Sequence, residues 1–285
     1  MLFYPDPVFI AGAARTDFKL NCAKDGRTLR DLVASAGRAA IETAGLTPGD
    51  VQSGVGGNFA AGLFTRQRHR GAFLTEIDPG LVGIPTLHTE AACASGSVAV
   101  LTAAHQIMAG VHDVVLVVDA EQQKTMPVPE HADVLAAAGD FHAERPRFGS
   151  PLFPKLFAEI AKLYARAHDV PPPELRRHLA IAGKNYAHAK LNPLSQTRNR
   201  PTLTLDAATT HYDKNPIIPE PLLLSDCSQI TDGAAAIVLV SQSLARKLKT
   251  TPVRLLGYGH TTDHLALQDK QVPEFPHART AADRA

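Results

Sequence analysis

The 285-residue chain has no tryptophan, only three cysteines and almost no net charge, with 29 basic residues set against 28 acidic ones. Each shortage excludes something. Cys22, Cys93 and Cys227 are too few and too far apart for a disulfide framework, and no Cys-x-x-Cys pair offers a zinc site. A formal charge of +1 gives no general attraction to nucleic acid, so no nucleic-acid partner is expected. No apolar run reaches the roughly 18 residues of a membrane span. The longest, 233–240, suits a buried strand. Residues 1–10 lack the basic region and long apolar stretch of a leader, and Ala282-Asp283-Arg284-Ala285 is not a recognised address. A reducing cytoplasm is therefore expected. His260 and His264 have the spacing of a helical metal pair. No glutamate follows His260 and no cysteine lies nearby, so no metal is expected.

What is present is an ordinary globular balance, 45% hydrophobic and 20% charged. Residues 8–14 read as a short buried strand. Residues 28–44 read as a helix, with Leu29, Leu32, Val33, Ala36, Ala40 and Ile41 at three- and four-residue spacing and Gly45 as a stop. A strand follows at 51–59, a helix at 64–76, a strand at 86–91 behind Pro85, and a strong helix at 97–109 ending at Gly110. The all-apolar 114–118 suits a strand covered on both faces. Alternating strands and helices predict a layered α/β fold with a mixed, mainly parallel sheet.

The composition then shifts. Residues 127–221 hold 13 of the 21 prolines but only 3 of the 20 glycines. With helical patterns at 153–168 and 174–190, this stretch reads as a helical insertion laid over the sheet. Strand-like sequence returns at 222–224, 233–240 and 253–258, with a short helix at 242–248. From Gln271 the pattern fades into a polar tail.

The informative stretch is Glu90-Ala91-Ala92-Cys93-Ala94-Ser95-Gly96-Ser97. A strand ends, small residues crowd the turn, and a helix begins directly after the thiol. A cysteine placed there meets the positive end of the helix dipole and unpaired backbone N–H groups, which favour a thiolate. The same N–H groups can hold a thioester oxygen, and the lack of bulk admits an acyl chain. Acyl transfer through sulfur needs this arrangement and a base. The competing explanation is a small buried cysteine in an alanine-rich core turn. Ala91 and Ser95, at the flanking glycine positions, exclude the nucleophile elbow of α/β hydrolases.

The segment from Glu90 through Ala92-Cys93-Ala94-Ser95-Gly96-Ser97 to Ala99-Val100, with Ala103-Ala104, Ile107 and Gly110, resembles the nucleophile segment of thiolases, nearest the sterol-carrier-protein branch. Other pieces follow in the family's order. Ile10-x-Gly12 with Arg15-Thr16-x-Phe18 is similar to its opening. Leu191-Asn192-Pro193-x-Ser195-Gln196 with Arg198 resembles its Asn-Pro-x-x-Gln segment, and Leu224-x-Asp226-Cys227-Ser228 leading to Thr231-Asp232-Gly233-Ala234-Ala235-Ala236 its Asp-Cys to Asp-Gly-Ala-Ala run. The resemblance implies two similar α/β halves with a helical loop region inserted in the first. It also implies a second-half Gly-His-Pro histidine that activates the cysteine, and here Gly259-His260 is followed by Thr261. By resemblance the chain is a first half with its insertion, cut as the second begins. The expected parts are 1–121 and 222–250 for the sheet domain, 122–221 for the insertion, and 251–285 for the start of a truncated second domain.

The resemblance implies an acyl-CoA acyltransferase with Cys93 as nucleophile, a coenzyme A thioester as substrate and no tightly bound cofactor. Ser95, Gly96, Arg145, Arg147, Arg198 and Cys227 are the candidate substrate contacts. Cys227 reads as a pocket-lining turn residue in preference to a second catalytic thiol. The expected partners are acyl-CoA and either a second copy of the chain or a separate C-terminal-half polypeptide that brings the base. The alternative is an inactive, truncated chain that binds or scaffolds a partner. His88, five residues before Cys93, falls on the opposite strand face and reads as a structural or interface residue. Residues 53–58 lack the third glycine of a dinucleotide loop, and Arg66-Gln67-Arg68-His69-Arg70 reads as a solvated helix face.

Overall fold

The computed structural model describes residues 6–285; Met1–Pro5, part of the opening segment weighed as a leader, lie outside them. In chain order, β1 (Val8–Arg15), α1 (Leu29–Thr43), β2 (Ser53–Gly57), α2 (Ala61–Phe64), β3 (Thr86–Thr89), α3 (Ser95–Met108) and β4 (Val114–Gln122) come first. Then come α4 (Val128–Leu135), α5 (Phe141–Phe148), α6 (Leu152–Ala167), α7 (Pro172–Leu179), α8 (Ile181–Ala189) and α9 (Leu205–Thr209). They are followed by β5 (Asp232–Ser241), α10 (Gln242–Ala245), β6 (Val253–Arg254) and α11 (Pro276–Arg284). The chain divides into two compact units, one of residues through Thr125 with Thr231–Tyr258, the other of Met126–Ile230 with Gly259–Ala285. Residues 251–285, expected as the start of a further domain, are thus shared between the two. No helix among the described residues is long and apolar enough to cross a membrane.

The first unit is a six-stranded mixed sheet in the order β3-β2-β4-β5-β1-β6. β3, β2 and β4 pair in parallel, while β5 runs antiparallel to both β4 and β1. β1 to β4 therefore share one direction, and β5 and β6 oppose them. Strand alternation sorts β4 into two faces. Leu116 and Val118 pack with Leu32, Val33, Ala36 and Ala40 of α1, and Val115 and Val117 pack with Ala99, Ala103, Ala104 and Ile107 of α3. α1 starts at a capping box in which the Thr28 N–H donates to the Asp31 carboxylate at 2.8 Å. It approaches β1 so closely that a Cβ on Gly12 would strike the backbone of Ala40 and Ala44.

The second unit packs Ala136, Leu152 and Leu156 around Leu267, whose N–H donates to the buried Glu144 carboxylate at 2.7 Å. Arg176 forms a bidentate pair with Asp226 at 2.7 and 2.8 Å and also donates to the carbonyls of Pro221 and Ala208.

Several elements differ from their sequence reading. The helix expected at 64–76 breaks into α2 and a 3₁₀ segment, Gly71–Glu76, because Arg66 turns left-handed at φ 60°. The helix expected at 174–190 is two, α7 and α8, divided at Ala180. Of the strand expected at 253–258, only Val253 and Arg254 pair with β1, and 222–224 contributes one isolated bridge, Ile217 to Leu223. The polar tail holds α11, which begins at Pro276 and buries no residue, so no apolar stripe announced it.

The two ends of the first unit's chain segments meet at Asp232. This fully buried carboxylate accepts the N–H groups of Cys22, Gln123 and Lys124 at 2.8, 2.8 and 2.9 Å. It fastens the loop after β1 to the chain leaving β4. Asp232→Ala strands one buried and two part-buried donors and is expected to cost about 3 kcal/mol. Denaturant unfolding of the variant against the parent chain checks this.

Candidate functional site

Thr89, Gly57 and Asp119 form one row across β3, β2 and β4, at the carboxyl ends of the three parallel strands. In layered sheets this edge is where sites form, because chain leaving the strands converges there. From Thr89 the chain passes through Glu90 and Ala91 to Ala92, whose φ of 47° is left-handed for an alanine. Such a residue carries about 1–2 kcal/mol of strain. A 3₁₀ turn, Ala92–Ala94, then leads straight into α3.

Local hydrogen bonds hold the strained turn. The Ala92 N–H donates to the Glu90 carboxylate at 2.5 Å, and the Ala91 N–H donates to the Ser95 hydroxyl at 3.0 Å. The same hydroxyl donates to the Ala92 carbonyl at 2.7 Å. Thr89 donates to the Ser95 carbonyl at 3.3 Å, tying β3 to the head of α3. Cys93 is exposed at this helix head, where first-turn N–H groups have no intrahelical acceptor. An exposed sulfur at a helix head is an arrangement suited to attack on a thioester.

The other two thiols differ. Cys22 is fully buried, and burial first, then the Asp232 charge, pushes its pKa up to about 11. Burial, with the Asp226 charge second, also raises Cys227.

Two acids at the end of β4 escaped the sequence reading. Asp119 and Glu121 alternate with Ala120 and so share the α3 face of the strand with Val115 and Val117. Glu121 accepts the N–H groups of Phe59 and Ala60 at 2.7 and 3.1 Å, which fixes the chain leaving β2. Burial raises both carboxyl pKa values. The available signal was two carboxylates two residues apart, directly after an all-apolar strand.

His88 lies on the opposite, α1 face, lining a small cavity with Leu29, Val33, Gly56 and Val118. Its Nε2 lies 3.0 Å from the Arg70 guanidinium and 3.2 Å from the Asn58 carbonyl. Burial and then the Arg70 charge lower its pKa, keeping the imidazole neutral. Arg70, read as part of a solvated face, is half-buried as the partner of His88.

Cys93, Ser95 and Gly96 lie together in the first unit, and Arg145, Arg147, Arg198 and Cys227 belong to the second. Within the second unit these four have separate partners. Arg145 pairs with Asp133 at 2.9 Å, Arg147 bonds Gln268 at 3.2 Å, and Arg198 donates to the Ser195 carbonyl at 2.7 Å. Cys227 donates its N–H to the Leu224 carbonyl in a turn pinned by the Arg176–Asp226 pair. Exposure alone separates the thiols enough for a direct check. Iodoacetamide near pH 7.5 is expected to alkylate Cys93 at least about tenfold faster than Cys22 or Cys227, read by intact mass and peptide mapping.

Comparison with known proteins places this geometry in context. Residues 8–189 match the family profile described as thiolase, N-terminal domain. The chain is similar to an acetyl-CoA acetyltransferase of Methanothermobacter thermautotrophicus, with 31% identity over 86% of this chain and 60% of that one. It is also similar to human sterol carrier protein 2, with 26% identity over 90% of this chain and 46% of that one. Among solved structures, an Ltp2-ChsH2(DUF35) aldolase superposes with a TM-score of 0.69 and 26% identity, over 94% of this chain and 65% of that one. The chain thus spans about 60% of the acetyltransferase's length and under half of the carrier protein's. With the profile covering most of the sheet unit and the helices after it, the chain belongs to the thiolase family.

Proposed function

We propose that this chain carries the nucleophile of a thiolase-type acyl-CoA acyltransferase. The single observation that supports the reading is the exposed Cys93 at the head of α3, seated by a strained turn on the ends of three parallel strands. The Cys93 sulfur, having lost its proton, adds to the carbonyl carbon of an acyl-CoA thioester. The carbonyl electron pair moves onto oxygen, which the first-turn N–H groups of α3 receive. Collapse breaks the bond to the coenzyme A sulfur, which leaves and takes up a proton. A carbon nucleophile, formed by loss of a proton next to a thioester carbonyl, then attacks acyl-Cys93 and releases the sulfur.

Ser95 is proposed to shape the turn and Gly96 to keep its approach open, while Arg145, Arg147 and Arg198 are the proposed coenzyme A contacts and Cys227 a pocket-lining residue. No resident cofactor is needed for this chemistry. The base that activates Cys93 is proposed to come from a second copy or a separate C-terminal-half polypeptide, the role that the resemblance gives to a Gly-His-Pro histidine. The free edge of β3, at one end of the sheet, supports pairing with another chain. A reducing, cytoplasmic setting fits the three unpaired thiols. A second reading is an inactive binding or scaffold subunit.

Acetyl-CoA followed by intact-mass measurement tests the proposal. One acetyl group is expected on the parent chain and none on Cys93→Ala, with a stable ester on Cys93→Ser. If the parent chain stays unmodified, alone and with a C-terminal-half polypeptide, the scaffold reading replaces the enzyme.

A further inference from the structure

Ala92, the residue immediately before Cys93, is the only alanine among the described residues with a positive φ. An alanine left to itself abandons that region, because its Cβ crowds the following carbonyl oxygen. Such a conformation persists only where its surroundings over-determine it. We propose that Glu90 is a positioning residue for the nucleophile, its carboxylate keeping Ala92 left-handed and so fixing the direction in which the chain enters Cys93. The role rests on the acyl-transfer reading, since the direction matters to a sulfur that must meet a thioester.

The two peptide units that flank the Ala92 α-carbon are clamped separately. The Ala92 N–H belongs to the unit before it and donates to the Glu90 carboxylate at 2.5 Å. The Ala92 carbonyl belongs to the unit after it, the one shared with Cys93, and accepts the Ser95 hydroxyl at 2.7 Å. Each unit is planar, so only φ and ψ of Ala92 separate the two clamps. As the first residue of the 3₁₀ turn, Ala92 has no acceptor for its N–H within the turn, and the Glu90 oxygen takes that place.

The segment has little other means of holding its shape. Thr89 is fixed by its pairing with Gly57 of β2, and Ser95 is buried and tied to Thr89. If the Glu90 bond is lost and Ala92 rotates back toward negative φ, the change must be taken up between those two residues, where Cys93 lies. A carboxylate suits the task because its bond to an N–H is charge-assisted, and Glu90 is exposed, so the charge stays solvated. Burial lowers the pKa of Arg70 and of His88, and the nearby Glu90 charge works against that fall in both. Glu90→Gln removes this charge and keeps an acceptor oxygen, whereas Glu90→Ala removes both.

Acetylation of Cys93 by acetyl-CoA at pH 7, with or without a C-terminal-half polypeptide, reads the role. Glu90→Ala is expected to slow it about tenfold, the scale of one lost charge-assisted hydrogen bond. Glu90→Gln should stay within about threefold of the parent, because an amide oxygen still accepts the N–H. Ala92→Gly supplies the second arm, since glycine enters the left-handed region without steric cost. In that background Glu90→Ala should slow acetylation by no more than about twofold, a coupling that two independent effects would not show. Each variant is expected to melt close to the parent's temperature, whereas general unfolding would slow all of them alike.

Amide hydrogen exchange reads the turn without any chemistry. Glu90→Ala deprives only the Ala92 N–H of its partner directly, while the Ala91 N–H is bonded to the Ser95 hydroxyl. A turn that opens releases both. Faster exchange is therefore expected at Ala91 as well as Ala92 in Glu90→Ala, with parental exchange at Ala91 in Glu90→Gln. Parental acetylation in Glu90→Ala, an equal loss in Glu90→Gln, or a full tenfold loss in the Ala92→Gly background would each overturn the proposal. If the parent chain takes no acetyl group under either condition, the acyltransferase reading fails. Exchange that spreads to Ala91 would then still support the hold of Glu90 on the turn, and exchange confined to Ala92 would overturn it.

Discussion

The head of α3 can rest on the sheet only because position 57 has no side chain. A Cβ there would stand 2.5 Å from the Asp119 carboxylate, 3.0 Å from the Ser95 carbonyl and 3.1 Å from the Gly96 nitrogen. This one close approach sets the depth at which the helix begins, and with it the place of Cys93. The left-handed Ala92, the double use of the Ser95 hydroxyl and the Thr89 link all serve to bring the chain from strand level to that seat within a few residues. The strain of the turn is thereby offset locally, by bonds that a longer, looser connection would not need.

The two faces of β4 divide the labour of the first unit. One face, with α1, is an apolar layer that meets polar groups at the strand ends, among them the Arg70–His88 pair, Asn58 and Gln122. The other, under α3, is apolar from Val115 to Val117 and then turns acidic at Asp119 and Glu121, just where the helix head and the exposed thiol arrive. Apolar packing and titratable groups are in this way placed along a single strand, the first in its middle and the second at its end.

Much of this arrangement was legible beforehand. The spacing of Leu29, Leu32, Val33, Ala36, Ala40 and Ile41 predicts α1, and all six are buried. The small residues around Cys93 predict a tight strand-to-helix turn, and the structure has one. Less legible were elements whose limits depend on distant contacts. Arg66 breaks a helix that local pattern would continue, and α11 has no apolar stripe to betray it. The same holds for Asp232, whose role exists only because Cys22, Gln123 and Lys124 converge on it.

The sequence by itself determined the fold class, the family resemblance and the strand-to-helix turn that carries Cys93, because periodicity, turn chemistry and a run of small residues are local properties of the chain. Only the tertiary structure decided which titratable groups gather at the strand ends and on which face. Alternation turned His88 away from α3 and Asp119 toward it. Strand pairing brought residues 57, 89 and 119 into one row although some 30 residues separate each from the next. No window of sequence contains that row, since it arises from hydrogen bonding between strands.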